Sequence, residues 1–344
     1  MLTDRQLLIL QILIDEYIQN AEPLGSRSIS KRQDITYSSA TIRNELADLE
    51  DMGFIEKTHS SSGRIPSEKG YRFYVDNLLS PVQLKQHDMA RIHSLFHEKM
   101  YELELLIEHS ATLLSEITNY TSIILGPEVY ETKLKHLQIV PISKGTAIFV
   151  LITDTGHVEK YTVDLPEEMD SADIERTVNI LNERLKGVPF SHLKLRLQSE
   201  VEGLLRTHTE NYKQTLDFLD QLFQTEKSDK VYYGGKTNIL NQPEFQDVNK
   251  VKDLYNAIEK QDLVQQLLHQ DGTSGIKVKI GAENTIQEMK NCSLISASYS
   301  IGGQHMGTLA ILGPTRMEYP RVIGLLDLLS KDLTKVLTQR YYSN

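Results

Sequence analysis

The chain has 344 residues, 40% hydrophobic and 24% charged, with a formal net charge of −10. That length predicts two or three units, each with apolar material for a core. No run of about 18 apolar residues occurs, and Asp4, Arg5, Asp15 and Glu16 interrupt the N-terminal apolar stretch, so neither a membrane span nor a secretory signal is expected and a cytoplasmic location is.

The first element is a helix over TDRQLLILQILIDEYIQN, with Thr3 as N-cap and Gln6 completing a capping-box pattern. Leu7, Ile9, Leu10, Leu13, Ile14 and Tyr17 form its apolar face. The chain breaks at Glu22-Pro23-Leu24-Gly25, and a short helix follows, SRSISKRQ, with Ser26 as its cap. After a turn and Ser38-Ser39 comes a longer helix, ATIRNELADLEDM, ended by Gly53. Ile42, Leu46 and Leu49 recur at i, i+4 and i+7 and face a core. The opposite face carries Ala40, Asn44 and Ala47, with Arg43 at its flank. FIEKT and RIP are strands joined by the polar loop HSSSG, a hairpin pattern. SEKGYRFYVDNLL is a helix capped by Ser67, with Tyr71, Tyr74, Val75 and Leu78 as its stripe.

Residues 84 to about 120 predict one long amphipathic helix. HLQIVPI, TAIFVLIT and HVEKYTV are strand-like, with a turn at Asp154-Thr155-Gly156. Residues 168 to about 226 become helical and polar. Strands return in VKVKI, LISASYS and MGTLAILG, with a turn at Gly302-Gly303. An amphipathic helix opened by Pro320 closes the chain, buried through Leu325, Leu329, Leu333, Val336 and Leu337. The lone Cys292 excludes an intrachain disulfide and a cysteine-rich zinc site, and its apolar strand makes it a small core residue. Strands, helices and strands again predict an α+β domain interrupted by a helical insert.

Helix, helix, turn, helix and hairpin over residues 1–79 is the order of a winged helix-turn-helix. Its third helix would enter the major groove with its N-terminal residues near base edges. Arg43 is placed to reach guanine, and Asn44 to pair bidentately with adenine. Ser39 and Thr41 suit phosphate or base, and Ala40 a thymine methyl. The wing residues His59, Ser60, Ser61, Ser62 and Arg64 suit phosphate or the minor groove. Residues 1–79 hold nine Lys/Arg against twelve Asp/Glu, yet 26–44 and 57–72 each hold four basic residues against one acid. The DNA side is therefore basic while the domain is not, and the second segment adds Lys57, Lys69 and Arg72 to it.

The run QDITYSSATIRNELADLEDMGFIEKTHSSSGRIPSEKGYRFYVDNLL closely resembles the HrcA family of heat-inducible transcription repressors. EPLGSRSIS and ILGPTRMEYPRVI fit the same family, and the resemblance runs over essentially the whole chain. It implies a homodimer that represses chaperone operons by binding the CIRCE inverted repeat in double-stranded DNA, kept active by the GroEL chaperonin. It also implies a GAF-like domain carrying a dimerising insert. The expected division is 1–79 winged helix-turn-helix, 80–122 linker helix, 123–167 with 227–344 GAF-like domain, and 168–226 insert.

Three other classes make different demands of the sequence, and the two basic segments speak against one of them, a purely structural dimer with a protein-binding winged helix. A small-molecule-responsive GAF-type regulator would need a ligand pocket, for which His136, Lys144, His157 and His305 are scattered candidates without a defining spacing. An enzyme would need a catalytic signature. HEKMY lacks the second His of a zinc-protease helix, and SIGGQHMG lacks a phosphate-loop ending. No catalytic residue, cofactor or metal is expected.

Overall fold

The computed structural model describes residues 2–58, 63–79, 83–97, 103–126, 133–143, 145–154, 156, 158–165, 170–197, 199, 217, 219, 230–268 and 275–342. The N-terminal part is three helices and a hairpin. α1 (Asp4–Asn20) begins at a capping box in which Thr3 and Gln6 each accept from the other's backbone N–H, satisfying donors the helix leaves open. α2 (Ser26–Ser30) starts after Gly25, with no side-chain cap. Ser26, expected as the cap, instead sets its hydroxyl 3.2 Å from that of Ser39 and ties α2 to the next helix. That helix, α3 (Ser39–Asp51), is capped by Ser38, whose hydroxyl accepts from the Thr41 amide.

β1 (Ile55–Lys57) and β2 (Arg64–Pro66) pair antiparallel, with Lys57 opposite Arg64. Leu24 joins on the far side of β2, exchanging backbone bonds of 2.9 and 2.8 Å with Arg64. Gly63 permits that approach, because a Cβ there would lie 2.7 Å from Pro23. α4 (Glu68–Phe73) follows, capped by Ser67, and widens into a π turn at Tyr74–Leu78.

The expected long linker helix is two helices, α5 (Gln86–His97) and α6 (Leu103–Thr118). Arg91 and Glu116 form an ion pair across them. In one continuous helix those residues would stand about 37 Å apart at 1.5 Å per residue, so the chain folds back on itself. The apolar stripe that reads as one long face is two shorter faces on a shared core. The linker also ends earlier than expected, because β3 (Thr121–Leu125) begins at Thr121.

β4 (Leu134–Ser143), β5 (Thr146–Thr153) and β6 (Val158–Asp164) form a three-stranded antiparallel sheet of their own. The sequence groups these strands in one domain with the late strands and leaves their pairing open. β4 and β6 pair only with β5, and none of the three bonds a strand of the sheet that holds β3. Leu137, Phe149 and Leu151 pack instead with Ile174, Leu181 and Leu185 of α7 (Ser171–Leu185) and Leu193 of α8 (Leu193–Arg196). Asn182 fastens α7 to β4 by bonding both the N–H and the C=O of Leu137, at 2.8 and 2.7 Å. The segment that holds this sheet leaves and rejoins at neighbouring points, where the Gly126 amide donates to the Lys230 carbonyl at 2.8 Å.

β7 (Val231–Gly234), β8 (Ile276–Ile280), β9 (Cys292–Ile301) and β10 (Gln304–Pro314) complete a five-stranded antiparallel sheet in the order β7-β3-β10-β9-β8. Successive side chains point to opposite faces, and both faces are covered. Ile124, Ile295, Leu309 and Ile311 share a core with α6 and the C-terminal helix Tyr319–Tyr342. Ile123, Leu294, Ala310 and Leu312 pack with residues of the helices Val248–Glu259 and Gln261–Leu268. Cys292 belongs to that second core, and burial pushes its thiol up to about 12. Alkylation by iodoacetamide at pH 8 is expected to be negligible in the native protein and complete after denaturation, checked by mass spectrometry. Among the described residues no helix is long and apolar enough to cross a membrane.

Candidate nucleic-acid interface

α3 has two unlike faces. Ile42, Leu46 and Leu49 are buried in the N-terminal core with Ile9, Leu10 and Leu13 of α1. Glu45 is buried beside them and takes an ion pair from Arg5. Ala40, Arg43, Asn44 and Ala47 are exposed on the other side. Among the described residues Arg43 and Asn44 have no hydrogen-bond or ion-pair partner, so their donors face solvent ready for a ligand. Ser39 and Thr41 are half-buried, their hydroxyls engaged with Ser26 at 3.2 Å and Ser38 at 2.9 Å. Each keeps hydrogen-bonding capacity beyond that one contact.

A groove beside this face is lined by cations from three elements: Arg27 of α2, Arg43 of α3, and Lys57 and Arg64 of the hairpin. Arg27 is exposed and absent from the expected site. It belongs to the basic stretch 26–44, and α2 carries it to the groove. His59, Ser60, Ser61 and Ser62 lie outside the described residues.

The remaining predicted cations are each committed within the protein. Arg64 donates to Glu50 at 2.7 Å, and its side chain is only 14% exposed. Lys57 reaches the same carboxylate at 3.2 Å. Burial pushes the Glu50 carboxyl up, but the Lys57 hydrogen bond and the Arg64 charge outweigh it and hold the group below its usual range. Glu50 thus straps the hairpin to the end of α3 and neutralises part of the groove. Glu50→Ala is expected to cost about 2 kcal/mol in urea unfolding, below the full penalty of a buried pair because both partners keep some solvent. It should also tighten binding to unrelated DNA, since two cations are released.

Lys69 donates to the Met52 carbonyl at 2.7 Å and sits 4.6 Å from the Phe54 ring centre, closing the C-terminus of α3. Arg72 points elsewhere altogether. It bonds Glu283 and, at 2.7 Å, the Val278 carbonyl on the side of the five-stranded sheet, and Asp76 one turn along its own helix at 3.2 Å. Expected on the DNA face, Arg72 instead has four of its five donors engaged in these bonds, away from the groove that Arg43 lines. The small-ligand candidates do not converge either: His136 is on β4 and His305 on β10, in different sheets, while Lys144 and His157 lie outside the described residues.

The family model for the HrcA protein C terminal domain matches residues 104–323. A heat-inducible transcription repressor HrcA from Halalkalibacterium halodurans is 54% identical over 341 residues, covering 99% of both chains. Another, from Bacillus pumilus, is 53% identical over 342 residues with the same coverage. A crystal structure of a hypothetical protein aligns over 99% of this chain and 100% of its own, with a TM-score of 0.70 and 23% identity, which shows a shared fold. The chain belongs to the HrcA family of heat-inducible transcription repressors.

Proposed function

We propose that this chain represses heat-inducible chaperone operons as a homodimer bound to an inverted-repeat operator of the CIRCE type. In this reading the N-terminal helices and hairpin act as a winged helix-turn-helix, and the five-stranded sheet with its helices is a GAF-like domain. The observation that carries it is the exposed Arg43–Asn44 pair on α3, without a partner among the described residues, beside a groove lined by Arg27, Arg43 and Lys57. That pair offers the donors that read guanine and adenine edges in the major groove.

An inverted repeat requires a two-fold protein, and the insert supplies a surface suited to one. The outer face of the β4-β5-β6 sheet, which joins the insert in this reading, carries Val140 and Val158, 40% and 37% exposed, and the half-buried Ile148, Val150 and Ile152, interleaved with His136, Gln138, Lys160 and Thr162. Ile142, in the irregular step of the β4–β5 register, is 59% exposed near the end of that face. A second copy covering this sheet face would bury it.

The GroEL chaperonin is the proposed activator, acting on the repressor in the cytoplasm. Chaperone supply then sets the fraction of active repressor, and unfolded proteins that draw the chaperonin away relieve repression. The test is a gel shift on the inverted repeat, with and without GroEL and ATP. Retardation that rises with chaperonin supports the reading; no sequence-dependent retardation in either condition rejects it.

The alternative, a small-molecule-responsive regulator, has one foothold. A cleft of about 810 Å³ lies between the β9–β10 turn and the C-terminal helix, lined by Ser298, His305, Lys331 and Lys335 among others. Calorimetry against metabolite pools would favour it if a saturable ligand also altered operator affinity.

A further inference from the structure

The N-terminal unit is seated directly on the five-stranded-sheet domain through contacts at separate places. Arg72 of α4 makes a two-pronged bond to Glu283, one arm at 2.8 Å, and donates to the Val278 carbonyl of β8 at 2.7 Å. Glu68, one turn earlier, accepts from the Ala282 amide at 3.1 Å. Gly281 makes room for it: its φ is +55, and a Cβ there would lie 2.0 Å from Glu68 Oε1. Elsewhere, Arg316 donates to Glu244 at 2.6 Å and to the Ile18 carbonyl at 2.7 Å. That carbonyl is one of the last four of α1, which the helix itself leaves without a partner. Tyr71 fills the space between, its ring 5.8 Å from that of Tyr319.

These contacts do more than hold two bodies together. A single contact leaves a pivot, whereas two separated, directional clamps fix rotation. The Arg72–Glu283 fork is planar and bidentate, the geometry that constrains orientation most. The seat is not the tightest that apolar packing would give. Tyr71 is buried at 2% exposure, and among the described residues its hydroxyl has no hydrogen-bond partner, a cost the docked geometry carries. In a dimer, the angle of each N-terminal unit sets the separation of the two α3 helices, and hence the half-site spacing that both can reach together.

We propose that Glu283, Gly281 and Arg316 are positioning residues for operator binding: they fix the angle of the N-terminal unit and so the half-site spacing the dimer accepts. This rests on the dimeric-repressor reading above. None of the three residues lies on the α3 face that meets DNA.

The test uses the full-length protein and inverted repeats whose spacer is changed one base pair at a time. The native protein is expected to lose roughly tenfold or more in affinity a base pair or two from its preferred spacer. Glu283→Ala and Gly281→Ala are each expected to flatten that profile to within about threefold. They should bind the preferred spacer about tenfold more weakly and an isolated half-site within about twofold of native. Glu283→Gln, which keeps the shape and part of the bonding, should fall between, and it carries the test if the Ala variants do not fold. A folded variant that keeps the native spacing profile overturns the proposal. So does one that loses affinity in equal proportion on every spacer and half-site, as a merely stabilising contact would. If the native protein shows no preference for paired over single half-sites, the dimeric reading fails and this inference with it. If the native protein shows one and the variants share it, only the inference fails.

Discussion

Arg43→Ala is expected to weaken operator binding by roughly 1–3 kcal/mol, with the loss concentrated at one base pair of each half-site. The side chain is exposed on α3 with no partner among the described residues, so removing it leaves no buried group unsatisfied. Thermal unfolding should therefore stay close to native, within the small range of ordinary surface changes. Binding to a set of operators substituted one position at a time checks the effect. If Arg43 reads a base, the variant ceases to discriminate at one position. An equal loss on all sequences, with a shallower salt dependence, makes it a phosphate contact instead.

Ile42→Ala should do the reverse. Ile42 is one residue away, but about 100° around the helix, and it is fully buried against α1. Truncation leaves a cavity beneath the recognition face and is expected to cost roughly 2–5 kcal/mol. In urea unfolding the midpoint should fall with little change in slope. Under conditions where the variant is still folded, its discrimination among bases should be native, because Arg43 and Asn44 remain on the outer face. Unchanged stability would mean that α3 does not pack as described.

The contrast between these neighbours is legible in sequence because it follows from periodicity alone. Ile42, Leu46 and Leu49 repeat at helical spacing, and Arg43, Asn44, Ala47 and Asp48 between them face outward. Local signals of the same kind reveal the Thr3–Gln6 capping box, the Ser67 cap and the strands on either side of the HSSSG loop. What failed was nonlocal. β4, β5 and β6 carry strand patterns like those of β9 and β10, and nothing within them says which strands they pair with. The separate core that β4 and β5 share with α7 and α8 sets them apart. The break between α5 and α6 was hidden because two apolar faces on one core read as one continuous stripe.

The site shows the same limit. A charge census finds Arg64, Lys57 and Arg72 in a basic segment, but it cannot say which acids neutralise them. Glu50 is close to Lys57 and Arg64 in sequence, and α3 carries it to the hairpin. Glu283 is 211 residues from Arg72, a separation no local reading spans. Arg27 was missed for the opposite reason. Its sequence context is that of a supporting helix, and only the groove it shares with Arg43 and Lys57 brings it to the interface.

The central claim is that the exposed face of α3 gives this chain sequence-specific hold on an inverted repeat. Its most direct measurement is a titration of the full-length protein, with GroEL and ATP present, against the inverted repeat and a scrambled duplex of equal length at two salt concentrations. The account predicts a preference for the inverted repeat of roughly 10³ or more, lost when Arg43 and Asn44 are both replaced by Ala, with both affinities falling as salt rises. Equal affinity for the two duplexes, or a preference that survives the double replacement, would contradict it.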